Sequence, residues 1–262
     1  MVDISIVIPT IRTKGWRHVI SSIEKCCSKY SWEIIFVGPY YDDCIESHKN
    51  IKYVRDFGSP NRAQQIALLL SEGKFITWLV DDYNDGPNNI DNFLDILYDK
   101  DEETIIVGNY DENGTLAVEN FSVLHCYGGG KFVDPSWMIF NVAFLHRSFL
   151  EKIGGFDCNF NVTCLGHTDV AVRCQSHGCK VINGNMKLGG VIWLPDVTGD
   201  HAPIHNHQIN RDQPMFNKKT NQPIETVIDI SNWKESPTVW DRFKHPTNLQ
   251  VIDINEDVLS YE

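Results

Sequence analysis

The sequence has no long apolar run and no targeting segment. No stretch approaches the about 20 consecutive apolar residues that a membrane-spanning helix needs. The first residues, Met1-Val2-Asp3, lead straight into a strand pattern without the basic region and small-residue cleavage site of a signal peptide. These absences predict a soluble chain with no transmembrane segment and a cytoplasmic location.

Paired cysteine motifs are also missing. The chain has 8 cysteines but no CxxC pair, which argues against a zinc ribbon. Most of them fall inside segments with strand or helix patterns, so we expect free thiols in a reducing compartment.

Positive charge is scarce. The formal net charge is −12, from 23 Lys and Arg against 35 Asp and Glu, and no basic run is present. Such a chain would repel the phosphates of DNA or RNA, so we expect no nucleic-acid partner. An acidic protein that binds a diphosphate needs a metal cation or well-placed arginines to offset the repulsion.

What is present is an alternation of apolar strand patterns and amphipathic helix patterns, which predicts an α/β fold with a mostly parallel central sheet flanked by helices. Ser59 and Pro60 form a helix-start signal, and Gly178 follows a helix predicted from Thr168 to His177. We expect residues 1–200 to form one domain, with a nucleotide-binding half (1–100) and an acceptor half (101–200). The last 60 residues look irregular, and we expect 201–262 to be an extension that packs near the active site. The predicted strands are 4–8, 33–37, 51–54, 75–80 and 137–145, and the other predicted helices are 15–29, one from Ser59 to Gly73 and one ending at Gly154-Gly155.

A cluster of carboxylates follows the most apolar of these strands. Asp81, Asp82 and Asp85 come directly after the run Phe75 to Val80. Ligands of open α/β sheets bind at the carboxyl ends of the strands, and carboxylates there suit Mg²⁺ or Mn²⁺. Side chains alternate along a strand, so Asp81 and Asp82 are expected to point to opposite sides. The alternative is a solvated acidic turn.

Four ordered segments resemble the landmarks of family 2 glycosyltransferases of the GT-A fold. The resemblance covers about residues 4 to 180, and its segments are Ile6-Val7-Ile8-Pro9-Thr10, Gly73-Lys74-Phe75-Ile76 leading to Asp81-Asp82, Ile153-Gly154-Gly155-Phe156-Asp157, and His167-Thr168-Asp169 with Arg173 and Gly178. The chain departs from the family in three places. Gly38-Pro39 replaces an acidic residue after the second strand, Gln65 replaces a common Asn, and His167-Thr168 leaves Asp169 as the sole carboxylate of its motif.

The resemblance implies a hexosyltransferase that moves a sugar from a nucleoside-diphosphate sugar, with UDP-sugars favoured, to a glycan or other hydroxyl acceptor with inversion. Asp169 would be the general base, since a carboxylate with a pKa of about 4 is ionised at neutral pH. Asp82 would bind Mn²⁺ or Mg²⁺, with His201 as a further ligand. Donor contacts would come from Pro9, Thr10, Arg12, Arg62 and Asp81, and acceptor contacts from Trp137 and His167.

Each of the less specific candidates also has a structural interpretation. Arg12 and Arg62 can be surface arginines, Trp137 can be a core residue, and His201, His205 and His207 can belong to a solvated loop. Three other functions stay open. These are a catalytically silent sugar-nucleotide-binding module, a metal hydrolase built on the tail histidines, and a nucleotidyltransferase, although Pro9 to Thr13 lacks the Gly-rich phosphate loop of that class.

Overall fold

The computed structural model describes residues 2–112, 115–118, 138–139, 142–191 and 202–243. Its strands are β1 (Ile4–Pro9), β2 (Trp32–Gly38), β3 (Ile51–Arg55), β4 (Phe75–Trp78), β5 (Thr104–Glu112), β6 (Thr115–Val118), β7 (Ala143–His146) and β8 (Lys180–Val191). The α-helices are α1 (Trp16–Cys26), α2 (Pro60–Leu69), α3 (Asn89–Leu97), α4 (Arg147–Lys152), α5 (Thr163–Ser176), α6 (Ala202–His207) and α7 (Gln213–Thr220).

The described strands form one mixed sheet with the order β3-β2-β1-β4-β7-β5-β6, and β8 also pairs with β5. The first half, β3-β2-β1-β4, is parallel throughout. Strand β7 then runs antiparallel to both β4 and β5, while β8 is parallel to β5. The parallel half brings the carboxyl ends of β1, β2, β3 and β4 to a single edge, where an α/β sheet binds its ligands.

Helices cover both faces of the sheet, so alternate side chains of a strand pack into two different hydrophobic cores. In β1, Ile6 and Ile8 pack with residues of α1 and α3, whereas Val7 packs with residues of α2, α4 and α5. All four residues of β4 are buried, as its uniformly apolar sequence predicts. The α/β architecture predicted from the sequence is confirmed.

Local signals locate several element boundaries. Ser59 caps α2 by accepting a hydrogen bond from the Arg62 backbone amide at 3.2 Å, and Pro60 is its first residue. Gly178, with φ +98°, follows the end of α5 as predicted. Helix α5 begins at Thr163, five residues before the predicted start at Thr168.

The prediction that the last 60 residues are irregular is wrong for 202–220, where α6, a π-helical turn (Gln208–Asp212) and α7 follow one another. The Asn-, Pro- and His-rich composition hides these helices, and tertiary packing stabilises them. Phe216 is buried against Phe160 and Leu165, in a small core shared with the sequence around α5. Helix α3 and strands β5, β6 and β8 were also not predicted from the sequence.

Two expectations concern the whole chain. Among the described residues, no helix combines the length and the apolar character that crossing a membrane requires. The seven cysteines within the described ranges are all free thiols, which agrees with the prediction for those positions.

Candidate active site

A cavity of about 520 Å³ lies at the carboxyl edge of the parallel strands. This volume is within the range of about 300 to 1,000 Å³ that small-molecule sites occupy. Segments from four parts of the chain contribute to its wall: Pro9–Arg12 from the end of β1 onward, Val37–Pro39 at the end of β2, Trp78–Asp81 from the end of β4 onward, and Val162–Cys164 with His167 at the start of α5.

The tail reaches the same cavity. Ile204, Gln208, Trp240 and Arg242 all line it, and the Trp240 backbone amide donates to the Phe57 carbonyl at 2.9 Å. This part of the tail therefore packs over the edge of the sheet.

Asp81 organises the loop that follows β1. Its Oδ2 accepts hydrogen bonds from the Thr10 hydroxyl at 3.0 Å and from the backbone amides of Ile11 and Arg12, each at 2.9 Å. Its Oδ1 accepts from Arg12 Nε at 2.7 Å and from Arg12 Nη2. Both oxygens are occupied, so Asp81 holds the predicted donor-binding residues Thr10 and Arg12 in place.

Close backbone contacts fix this arrangement. A Cβ on Gly15, just before α1, would lie 2.6 Å from the Asp81 carbonyl oxygen. A Cβ on Gly38 would lie 1.8 Å from the Thr10 carbonyl oxygen. The end of β2 therefore requires glycine at position 38.

Asp82 also faces Arg12, whose Nη1 donates to Asp82 Oδ2 at 2.6 Å. The prediction that Asp81 and Asp82 point to opposite sides is wrong, because β4 ends at Trp78 and strand alternation does not extend to residues 81 and 82. Asp82 is 5% exposed and is not among the described residues that line the cavity. Burial raises its pKa to about 6, with a further rise from the Asp81 charge and an opposing effect of Arg12.

One carboxylate oxygen of Asp82 could bind the predicted metal ion. Oδ1 is buried and has no hydrogen-bond partner among the described residues. Within those residues, no group of three or more His, Cys, Asp or Glu side chains is placed to hold a metal ion. Mg²⁺ bound at phosphate sites commonly uses one or two carboxylates, with substrate phosphates and water completing the shell. The Asp81–Asp82 pair fits that limited ligand set.

The tail histidines add little to this set. His201 lies outside the described residues. His207 is engaged elsewhere, with Nδ1 3.2 Å from the Asn161 side-chain nitrogen and Nε2 3.1 Å from Asp241.

Asp169, the predicted general base, does not line the cavity. It is 2% exposed, and Arg173 Nε donates to its Oδ2 at 2.7 Å while Lys219 Nζ contacts its Oδ1 at 2.6 Å. Arg173, itself fully buried, also donates to the carbonyls of Ile153 and Gly155. These contacts do not support the catalytic role. They make Asp169 the centre of a buried ion-pair cluster that joins α5 to α7.

His167 lines the cavity from α5, as do Thr163 and Cys164 of the same helix. Its Nε2 lies 2.9 and 3.0 Å from the two polar atoms of the Gln64 amide, and its ring packs against Trp78 at 5.3 Å between centroids. Burial lowers its pKa to about 3, so the imidazole is neutral at neutral pH. His167 was predicted to contact the acceptor, and the structure places it on the wall of the cavity.

The buried imidazole predicts a pH effect on stability. The pKa of His167 falls from an ordinary 6.5 to about 3 on folding, so the stability contributed by the neutral ring is complete above pH 6.5. Below that pH the unfolded chain takes up a proton that the native state resists. The loss grows by up to about 1.4 kcal/mol per pH unit.

We expect the free energy of unfolding of wild type, relative to His167→Gln, to fall between pH 6.5 and pH 4 in urea titrations. The raised pKa of Asp82 acts in the opposite direction but is common to both proteins, so it cancels in the comparison. Parallel pH curves for the two proteins would contradict the burial of a neutral His167.

Arg62 is not where a donor-binding residue should be. It is fully buried, and its Nε lies 3.1 Å from both carboxylate oxygens of Asp56. Its Nη1 donates to the carbonyls of Trp233 and Ser236. The prediction that Arg62 contacts the donor is therefore not supported. Arg62 forms an internal ion pair and holds the tail against α2. Asp56 does line the cavity. It follows β3, at the carboxyl end of a strand where ligands of α/β sheets bind, but no function was predicted for it.

Trp137, the remaining acceptor candidate, lies outside the described residues. Pro9 lines the cavity at the end of β1, and its contact with the donor stays a prediction.

No protein-family model matches this chain, and no curated protein matches it. Among solved structures, it is similar to S. aureus TarS, a family 2 glycosyltransferase, with a TM-score of 0.51 and 12% identity over 72% of this chain and 37% of that one. A second structure, TarS 1-349, gives a TM-score of 0.53 and 11% identity over 89% of this chain and 68% of that one.

The chain has the GT-A fold. At 11 and 12% identity the likeness shows the fold alone, and the chain spans little more than a third of the longer TarS structure. Activity therefore has to be argued from the cavity itself.

Proposed function

We propose that this protein is a glycosyltransferase that moves a sugar from a nucleoside-diphosphate sugar to a hydroxyl acceptor with inversion at the anomeric carbon. The observation that carries the proposal is the cavity at the carboxyl edge of a GT-A sheet, with the Asp81–Arg12–Asp82 cluster beside it. The GT-A fold supports a nucleotide sugar as the ligand.

Two arginines in the cavity wall can bind a diphosphate. Arg12 and Arg242 line the cavity beside the carboxylates of Asp56 and Asp81, and a guanidinium can donate two parallel hydrogen bonds to phosphate oxygens. Asp82 would hold Mg²⁺ or Mn²⁺ through its unpaired Oδ1, and the cation would offset the negative charge that develops on the departing diphosphate.

The reaction needs one proton acceptor, and we assign that role to His167. The acceptor oxygen forms a bond to the anomeric carbon while the bond from that carbon to the diphosphate breaks. The hydroxyl proton passes to the neutral imidazole, and the electron pair leaves with the nucleoside diphosphate. An anionic donor in the same cavity would raise the pKa of His167 toward the range in which it accepts a proton efficiently.

The competing function is a silent sugar-nucleotide-binding module. It is favoured by one observation: Asp169, the sole carboxylate of its motif, is held by Arg173 and Lys219 instead of facing the cavity. The donor base, UDP preference, acceptor and cytoplasmic location stay predictions. The tail-histidine hydrolase has no support from His207, whose ring is already engaged.

A donor screen tests the binding half of the proposal. Thermal unfolding is measured with UDP-, GDP-, CMP- and dTDP-sugars, each with Mn²⁺, Mg²⁺ or EDTA. One nucleotide class with metal should stabilise the protein, by about 2.7 kcal/mol at a ligand concentration of 100 Kd.

The control is a blocked cavity. Thr163 is half-buried at the start of α5 and lines the cavity, so Thr163→Trp should abolish the shift. Val227→Trp, at a position that is 44% exposed and away from the cavity wall, should retain it. No shift with any donor, or a shift that survives Thr163→Trp, would contradict the proposed site.

A further inference from the structure

Arg12 occupies the oxygens that a divalent cation would need. Its guanidinium donates through Nε and Nη2 to Asp81 Oδ1 and through Nη1 to Asp82 Oδ2. These contacts leave one carboxylate oxygen of the pair without a hydrogen bond from the described residues, the buried Oδ1 of Asp82. A metal that binds Asp82 through this atom would lie next to a guanidinium, and like charges in a buried site repel strongly.

The guanidinium can leave without disturbing the loop. The Arg12 backbone amide is held separately by Asp81 Oδ2 at 2.9 Å, together with the Ile11 amide and the Thr10 hydroxyl. The Arg12 side chain is 17% exposed and lines the cavity, so rotation about its own side-chain bonds gives access to the cavity. An anionic ligand there would receive the same guanidinium that the carboxylates release.

We propose that Arg12 is an intramolecular competitor of the divalent cation at Asp81 and Asp82. The guanidinium neutralises the carboxylates in the free protein, and it moves to the diphosphate of the donor when the cation takes its place. Cation and donor then bind with positive coupling, since each removes the obstacle to the other. This inference builds on the proposed function, because it concerns the same metal and the same donor.

The test uses metal alone, so it does not depend on the donor's identity. Mn²⁺ is titrated into the protein without nucleotide, and free Mn²⁺ is followed by electron paramagnetic resonance. Arg12→Met replaces the arginine with an unbranched side chain that has no charge. This variant should bind Mn²⁺ at least about tenfold more tightly than wild type. Arg12→Lys should stay close to wild type, because an ammonium still competes for the carboxylates.

The double variant Arg12→Met/Asp82→Asn should lose the gain, which assigns it to the Asp82 carboxylate. Thermal unfolding provides a second readout if Arg12→Met folds poorly: Mn²⁺ should raise its Tm by more than it raises that of wild type. Equal or weaker Mn²⁺ binding by Arg12→Met, or a gain that persists in the double variant, would overturn the competition.

The outcomes separate the two proposals. If donors bind and turn over while Arg12→Met gains no Mn²⁺ affinity, the proposed function stands and the competition fails. If Arg12→Met gains affinity while no sugar nucleotide binds at all, the competition stands without the transferase.

Discussion

Replacing Asp169 by asparagine should lower the free energy of unfolding by about 3 to 5 kcal/mol, the cost of removing one partner from a buried ion pair. Arg173 is fully buried and would keep its charge with only backbone carbonyls as partners. Lys219, which contacts both Asp169 and Asp157, would retain only Asp157. Urea denaturation followed by circular dichroism measures the change.

Asp95→Asn is the matched control, because Asp95 also pairs with a cation, Lys29, but at the surface. Water and salt screen an exposed pair, so this variant should be nearly as stable as wild type. An Asp169→Asn protein with wild-type stability and a large loss of turnover would restore Asp169 as the base and contradict the structural role.

Replacing His167 by glutamine should reduce turnover by about 10² to 10⁴, the usual cost of losing a general base. Glutamine keeps a polar group for Gln64, so donor binding and the fold should be retained. The pH profile carries a second signature: residual activity should lose its dependence on protonation of the imidazole. Steady-state kinetics with the donor found by the screen measure both effects.

His177→Gln is the control for this substitution. His177 follows the last residue of the same helix α5 and is not among the residues that line the cavity, so its replacement should leave kcat and KM unchanged. Comparable losses in both variants would point to a general effect on α5, and a fully active His167→Gln would remove His167 from the mechanism.

The sequence predicted the parallel half of the fold well, because its signals are local. Pro60 after Ser59, the apolar run that becomes β4 and the glycine after α5 each act through neighbouring residues. The antiparallel insertion of β7 between β4 and β5 depends on pairing between distant segments, which no local pattern specifies. The helices at 202–220 were not predicted for the same reason, since they are stabilised by the packing of residues such as Phe216 against distant segments.

Side-chain contacts in the candidate site could not be predicted from the sequence. The position of ligand sites at strand ends indicated the Asp81–Asp82 cluster and Pro9 to Arg12, but it does not show that Arg12 pairs with both carboxylates. The partner of Arg62 is Asp56, six residues away along the chain, on the far side of a turn. For Asp169 a local signal did exist: Arg173 stands at i+4 on the same helix, a spacing typical of an intrahelical ion pair.

Asp169 was given a catalytic role from the order of the motifs along the chain. That order does not show which residue of a helix faces the cavity. His167 and Asp169 differ by about 200° around the helix axis, so they face nearly opposite directions. The departure at His167, which the sequence analysis noted as a replacement of the usual acidic pair, is therefore the position that reaches the cavity.

Release of nucleoside diphosphate from the sugar nucleotide that binds, measured with Mn²⁺ and a panel of hydroxyl acceptors, tests whether the protein transfers the sugar. We predict release by wild type that depends on an acceptor and falls to background in Thr163→Trp. A donor that stabilises the protein yet yields no nucleoside diphosphate above that background would contradict the transferase and identify the chain as a sugar-nucleotide-binding module.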